Sequence, residues 1–253
     1  MAAADSDAAL ARHIAEAAGA LLLKVRESGL FTGKALGKAG DRVANAFIME
    51  ALAASRPEDA VLSEEEASDP VRLTRSRVWI VDPLDGTREY GEGRTDWAVH
   101  VGLSIDGEAV VGAVALPGMP ATFCTDDVTG PAAPADAPLR MLVSRTRPAA
   151  EAVGVAERLG AVLVPMGSAG AKAMAVVRNE ADIYLHSGGQ YEWDSCAPVA
   201  VAQAAGLHVS RIDGRPLVYN AADVYLPDLL ICRTEHAAQV LRLVGEVVAA
   251  QGR

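Results

Sequence analysis

Near the start of the chain, apolar side chains recur at Leu10, Ile14, Ala17, Leu21 and Val25. That spacing of three and four predicts an amphipathic helix, with Asp5 or Ser6 placed to cap it. A glycine-broken stretch, 28–40, follows. A second helical pattern then runs from Asp41 through Val43, Phe47, Ile48, Ala51 and Leu52 to a stop near Pro57. On this reading Asp41 sits at or near a helix N-terminus, where a carboxylate caps the helix and meets its dipole favourably.

From Arg77 the period changes. Val78, Trp79, Ile80 and Val81 form a short continuous apolar run, the pattern of a strand buried on both faces, and Asp82-Pro83 ends it. Alternation over 97–105, a turn at Asp106-Gly107 and alternation over 109–116 predict an antiparallel hairpin. The Pro- and Ala-rich stretch 130–138 has no apolar periodicity and reads as a linker. Beyond it, strand patterns at 139–144, 162–166, 182–186 and 229–232 alternate with helical patterns at 148–159, 169–177, 194–205 and 235–250. That is the rhythm of helices covering a sheet. The expectation is an α+β protein with an N-terminal α+β domain, 1–137, and a C-terminal α/β domain, 138–253.

The 253 residues are enough for a sizeable core. Although 51% of them are hydrophobic, no run approaches the roughly 18 apolar residues of a membrane span. The formal net charge of -10 leaves no basic surplus for gripping a nucleic-acid polymer, so an anionic substrate has to be held by local chemistry. Residues 1–7 carry acidic side chains and no positive cluster before an apolar stretch. They do not read as a secretory signal, and a cytoplasmic location is expected. Three widely spaced cysteines, Cys124, Cys196 and Cys232, suit reduced core thiols better than a disulfide frame or a zinc site.

Candidate chemistry lies in three acidic clusters at the ends of apolar elements: 64–66, 82–87 and 192–194. Asp82 and Asp85, three apart across a proline, repel each other unless a cation lies between them. Hard carboxylate oxygens suit magnesium or manganese. Gly86 allows a close backbone approach, free N–H groups at Gly86-Thr87 can take phosphate oxygens, and the Thr87 hydroxyl can orient a water. Together these describe metal-assisted phosphoryl hydrolysis. Walker, zincin, nucleophile-elbow and dinucleotide motifs are absent. The histidines, His13, His100, His186, His208 and His236, do not cluster and read as structural or exposed, His186 least securely because it precedes Gly188-Gly189 and Trp193-Asp194.

The run Trp79-Ile-Val-Asp-Pro-Leu-Asp-Gly-Thr87, with Ser63-Glu64-Glu65 upstream and Gly167-Ser168 and Trp193-Asp194 downstream, resembles the inositol monophosphatase superfamily of magnesium-dependent, lithium-sensitive phosphatases. Asp85-Gly86-Thr87-Arg88-Glu89-Tyr90, Val143-Ser144-Arg145, Gly167–Lys172 and Glu192-Trp193-Asp194 are similar to its 3'(2'),5'-bisphosphate nucleotidase branch of the CysQ type, the actinobacterial ones in particular. The resemblance implies a layered α-β-α-β-α sandwich and a homodimer. It implies two or three Mg2+ ions per site, with Mn2+ as a substitute, held by Glu64, Asp82, the Leu84 carbonyl, Asp85 and Asp194. Glu64 and Thr87, aided by Asp41, would position the attacking water. The Gly86 and Thr87 amides would take the phosphate, and Ser144, Arg145, Gly167, Ser168, Lys172 and Asp194 would face the substrate. Register after Leu62-Ser63 favours Glu64 over Glu65, with a slip of one position left open. The segment Gly37-Lys38-Ala39-Gly40-Asp41 departs from the family's Val-Thr-x-Ala-Asp, which loosens the role carried over to Asp41.

The implied substrate is a small phosphate ester, 3'-phosphoadenosine 5'-phosphate, cleaved to AMP and phosphate in sulfate assimilation, with its sulfated relative as a second candidate. Two alternatives stay open: a sister phosphatase for inositol phosphate or fructose 1,6-bisphosphate, and a non-catalytic binding protein on the same fold. No membrane partner is expected.

Overall fold

A computed structural model describes residues 6–132 and 137–251. Residue Asp5 and positions 133–136 of the expected linker lie outside the described residues. Helix α1 (Asp7–Glu27) is capped by Ser6, whose Oγ accepts from the Ala9 amide at 3.1 Å. Its buried stripe runs through Leu10, Ile14, Ala18 and Leu22. Ala17, Leu21 and Val25 flank that stripe half-buried.

Helix α2 (Gly33–Ser55) corrects the expected start at Asp41, which lies well inside it and caps nothing. Each interior glycine costs roughly 1 kcal/mol against alanine, and Gly37 and Gly40 read as breakers for that reason. Packing overrides propensity here: a Cβ at Gly37 would stand 2.5 Å from Thr87 Cγ2, and one at Gly40 would stand 3.0 Å from Leu22 and Tyr90. These glycines let α2 approach the segment that carries Thr87.

The first sheet runs β1 (Ala60–Ser63), β2 (Arg77–Asp85), β3 (Ala98–Ile105), β4 (Glu108–Leu116) and β5 (Ala121–Cys124), in that order. Strands β1 and β2 are parallel, and the rest pair antiparallel. The expected hairpin between β3 and β4 is present, and Asp106 (φ 51°) and Gly107 (φ 84°) both take the left-handed conformation its two-residue turn needs. Strand β2 is buried from Val78 to Asp85. It does not end at Asp82-Pro83 as expected but continues past a bulge between Asp82 and Asp85. Pro83 is tolerated because β1 stops pairing at Val81 and no ladder partner is lost on that side.

The second sheet contains β6 (Arg140–Ser144), β7 (Val162–Met166), β8 (Ile183–Tyr191), β9 (His208–Ser210) and β10 (Tyr225–Cys232), in the order β7-β6-β8-β10-β9. Its helices are α4 (Ala150–Leu159), α5 (Ala169–Val177), α6 (Glu192–Ala204) and α7 (Thr234–Gln251); the short α3 (Thr87–Gly91) belongs to the first half.

Alternating side chains build the layers. Val78 and Ile80 of β2 join α5, α6 and the inner face of the second sheet in one core. Trp79 and Val81 point the other way onto α1 and α2. Met141, Val143 and Leu230 pack outward on α4 and α7. The result is the expected α-β-α-β-α sandwich with α5 and α6 as its middle layer. Paired glycines Gly102 and Gly112 let α6 lie close on the first sheet. All three cysteines are buried free thiols. Among the described residues no helix is long and apolar enough to cross a membrane.

Candidate active site

The bulged end of β2 and the first turn of α6 bring three carboxylates together. Oxygens of Asp82, Asp85 and Asp194 lie within 4.8 Å of one another. The Leu84 amide donates to Asp82 at 3.0 Å, and the Tyr191 amide donates to Asp194 at 2.7 Å. Glu64, on the turn after β1, faces Asp82 at hydrogen-bonding range. Burial, then Glu64 and Asp85, push the Asp82 carboxyl well above its ordinary range; burial and Asp85 push Asp194 up to about 7, and burial also raises Glu64. Such crowding is relieved by a hard divalent cation among these oxygens, so the donor set fits one.

Asp85 behaves differently. Burial would raise its carboxyl, but His100, the Gly170 amide and Lys172 outweigh burial and hold it below its ordinary value. The Ala169 and Gly170 amides donate to its two oxygens at 3.2 and 2.6 Å. The N-terminus of α5 is already occupied by the Asp85 carboxylate, and the Gly167 and Ser168 amides donate to Asp96. The backbone N–H groups of the Gly167-Ser168 turn are therefore not free for an external anion.

Asp41 is buried beside Thr87, and burial, then Glu65 and Glu64, raise it to about 7 while Thr87 opposes the rise. The Thr87 hydroxyl also donates to the Leu84 carbonyl at 3.1 Å. A hydroxyl has one proton, so it serves one of these acceptors at a time. Asp41 Oδ1 is buried without a partner among the described residues. The preceding turn is pinned by Ser63, which donates to Asn45, and by Asn45, which donates to Glu66, both at 2.7 Å. Gly86 (φ 88°) starts α3 in a left-handed conformation, 3.0 Å from Ser168 when a Cβ is built on it.

A cavity of about 590 Å³ opens beside these groups, and Gly86, Ser144, Arg145, Gly167, Ser168, Lys172 and Asp194 all line it. Lys172 is buried, and its ammonium donates to the carbonyls of Gly167 and, at 2.7 Å, Ser168. Burial lowers its pKa to about 8, against the pull of Asp85 and Glu89. It therefore holds the turn as well as lining the wall. The Ser144 hydroxyl accepts from the Arg147 amide at 3.2 Å. Arg145 Nη2 lies 2.8 Å from Glu89 and 2.9 Å from Glu92.

Residues 3–249 match the inositol monophosphatase family. The chain belongs to that family. It is 51% identical to the 3'-phosphoadenosine 5'-phosphate phosphatase of Mycobacterium leprae (strain TN), over 96% of this chain and 94% of that protein. It is 31% identical to the 3'(2'),5'-bisphosphate nucleotidase CysQ of Escherichia coli (strain K12), over 74% and 81%. The solved structure of CysQ from Bacteroides thetaiotaomicron superposes with a TM-score of 0.77 at 26% identity, covering 90% of this chain and 97% of that one.

This inositol monophosphatase family member also places at the site residues that the sequence reading set aside. His100 stands opposite Asp82 in the β2–β3 register, with Nε2 3.2 Å from Asp85 and Nδ1 3.0 Å from the Trp193 carbonyl. A carbonyl can only accept, so Nδ1 carries a proton. Burial lowers the imidazole, but Asp85 and Trp193 raise it further, above its ordinary value. The available signal was one imidazole inside a mostly apolar strand. His186 lines the cavity and is pushed to about 4 by burial and Lys172. Glu192 stays out of the acidic cluster and accepts from the Asn220 and Ala221 amides.

Proposed function

We propose that this protein removes the 3'-phosphate of 3'-phosphoadenosine 5'-phosphate, giving AMP and phosphate in sulfate assimilation, with 3'-phosphoadenylyl sulfate as a further substrate. The observation that carries the reading is the Asp82–Asp85–Asp194 cluster beside a nucleotide-sized cavity, in a chain half identical to a phosphatase of that name.

The proposed ligands of Mg2+, with Mn2+ as a substitute, are Glu64, Asp82, the Leu84 carbonyl, Asp85 and Asp194. When bound, the ions supply Lewis acidity for water and phosphate. Thr87, backed by Asp41, and Glu64 orient the attacking water. Water attacks phosphorus, the P–O3' bond breaks, and the ribose oxygen takes up a proton. Gly86 gives the phosphate close access to the backbone, while Arg145, Arg147 and Lys172 offset substrate charge in a protein of net charge -10. His100 is a positioning residue: its Nε2 lies 3.2 Å from Asp85 while its Nδ1 is held by the Trp193 carbonyl. Glu64 is preferred to Glu65 because it faces Asp82. Lithium inhibition, a homodimer, a cytoplasmic location and a boundary between halves near residue 137 complete the reading, the last supported by one sheet on each side of it.

The test is phosphate release from 3'-phosphoadenosine 5'-phosphate, inositol 1-phosphate and fructose 1,6-bisphosphate in parallel, with magnesium, with chelator and with lithium. Magnesium-dependent preference for the nucleotide is expected. Preference for either sugar phosphate would overturn the substrate assignment, and no turnover of any would overturn the enzyme reading.

A further inference from the structure

The chemistry around Arg145 goes beyond an arginine on a cavity wall. It rises from the end of β6 and crosses to α3, where one nitrogen, Nη2, is shared by two carboxylates: Glu89 at 2.8 Å and Glu92 at 2.9 Å. The two acids differ sharply. Glu89 is buried and packed against Gly167, whose missing Cβ leaves room for the Glu89 side chain. The Glu92 side chain is 46% exposed. Arg145 Nε is buried with no hydrogen-bond partner among the described residues, so the guanidinium keeps unused donor capacity. The triad carries a net charge of -1, an unfavourable neighbour for an incoming phosphate.

We propose that Glu92 is a displaceable counter-anion that competes with the substrate's second, non-hydrolysed phosphate for Arg145, while buried Glu89 holds the guanidinium in place. Arg145 then discriminates bisphosphates from monophosphates, and Glu92 sets how strongly. An exposed carboxylate–arginine pair is weak enough to exchange for a phosphate dianion, which accepts two parallel hydrogen bonds from the guanidinium fork. Glu89 cannot leave without abandoning a buried charge. This inference rests on the nucleotide reading above.

The experiment compares KM and kcat for 3'-phosphoadenosine 5'-phosphate and for 3'-AMP, which lacks the second phosphate, in wild type, Glu92→Gln, Arg145→Gln and the double variant. For Glu92→Gln we expect a KM for the bisphosphate about two- to five-fold lower, an unchanged kcat and an unchanged KM for 3'-AMP. In the Arg145→Gln background the Glu92→Gln effect should vanish, an outcome a purely structural role for Glu92 would not give. Glu89→Gln should raise the bisphosphate KM instead. If the wild type turns over neither nucleotide, the nucleotide reading itself fails. If it turns over both without distinguishing them, or if Glu92→Gln leaves the bisphosphate KM unchanged or raises it, the competition is overturned alone.

Discussion

Replacing Gly37 by alanine separates the stability of α2 from the placement of Thr87. In the helix interior the change favours folding by roughly 1 kcal/mol. Against this, the new methyl would stand 2.5 Å from Thr87 Cγ2 and 3.2 Å from the Thr87 carbonyl oxygen. Carbon–carbon contacts settle at about 3.5–4 Å, so the two segments must part by about 1 Å, an overpacking cost of roughly 1–3 kcal/mol. The net loss is then between nothing and about 2 kcal/mol, or at most about 8 °C in Tm for a chain of this size. A displacement of about 1 Å in a water-positioning group costs on the order of 100-fold in turnover. Thermal melts and kcat for 3'-phosphoadenosine 5'-phosphate at saturating magnesium read both quantities. Gly245→Ala is the control: it lies on exposed α7 surface with nothing within 4 Å of a built Cβ, so it should keep full activity and gain roughly 1 kcal/mol of stability. A folded Gly37→Ala protein with wild-type kcat would refute the reasoning that Thr87 has to stay where α2 holds it.

Asp82→Asn should abolish magnesium-dependent turnover yet raise the Tm of metal-free protein, because it removes one of several crowded carboxylates; a lower metal-free Tm would contradict the repulsion argued here. Asp41 and Asp194, raised to about 7, give a pH signature. Between about pH 4 and 7 the folded state keeps protons the unfolded chain releases, so metal-free stability falls as pH rises and levels off above 7. Melts across that range check the slope, and added magnesium should flatten it. Gly112→Ala drives a methyl into the Ala197 carbonyl of α6, and denaturant titration should show a loss of about 2–4 kcal/mol.

Most of the layer structure was legible because β2, β6 and β10 alternate between two buried faces, and long helices carry clear apolar stripes. Strands β1, β5 and β9 were missed. They are three or four residues long and are held by their sheet partners rather than by their own pattern. Helix α2 was misread at its start because Gly37 and Gly40 serve a contact with Thr87 and Tyr90 that lies far away in sequence. The Asp82–Asp85 pair was legible from mutual repulsion, and Asp194 from family resemblance. His100 was not, since its place depends on strand register, and neither was the capture of Asp85 by the α5 amides, which needs the two halves brought together.

The central claim is that the Asp82–Asp85–Asp194 cluster binds the divalent cations on which 3'-dephosphorylation depends. Its most direct test is manganese binding to chelator-stripped protein, followed by electron paramagnetic resonance, in wild type and Asp194→Asn. Turnover of 3'-phosphoadenosine 5'-phosphate is measured at the same manganese concentrations. The account predicts saturable binding that rises together with turnover in the wild type, and weakening of both in the variant. Turnover that persists in excess chelator, or manganese binding untouched by Asp194→Asn, would contradict it.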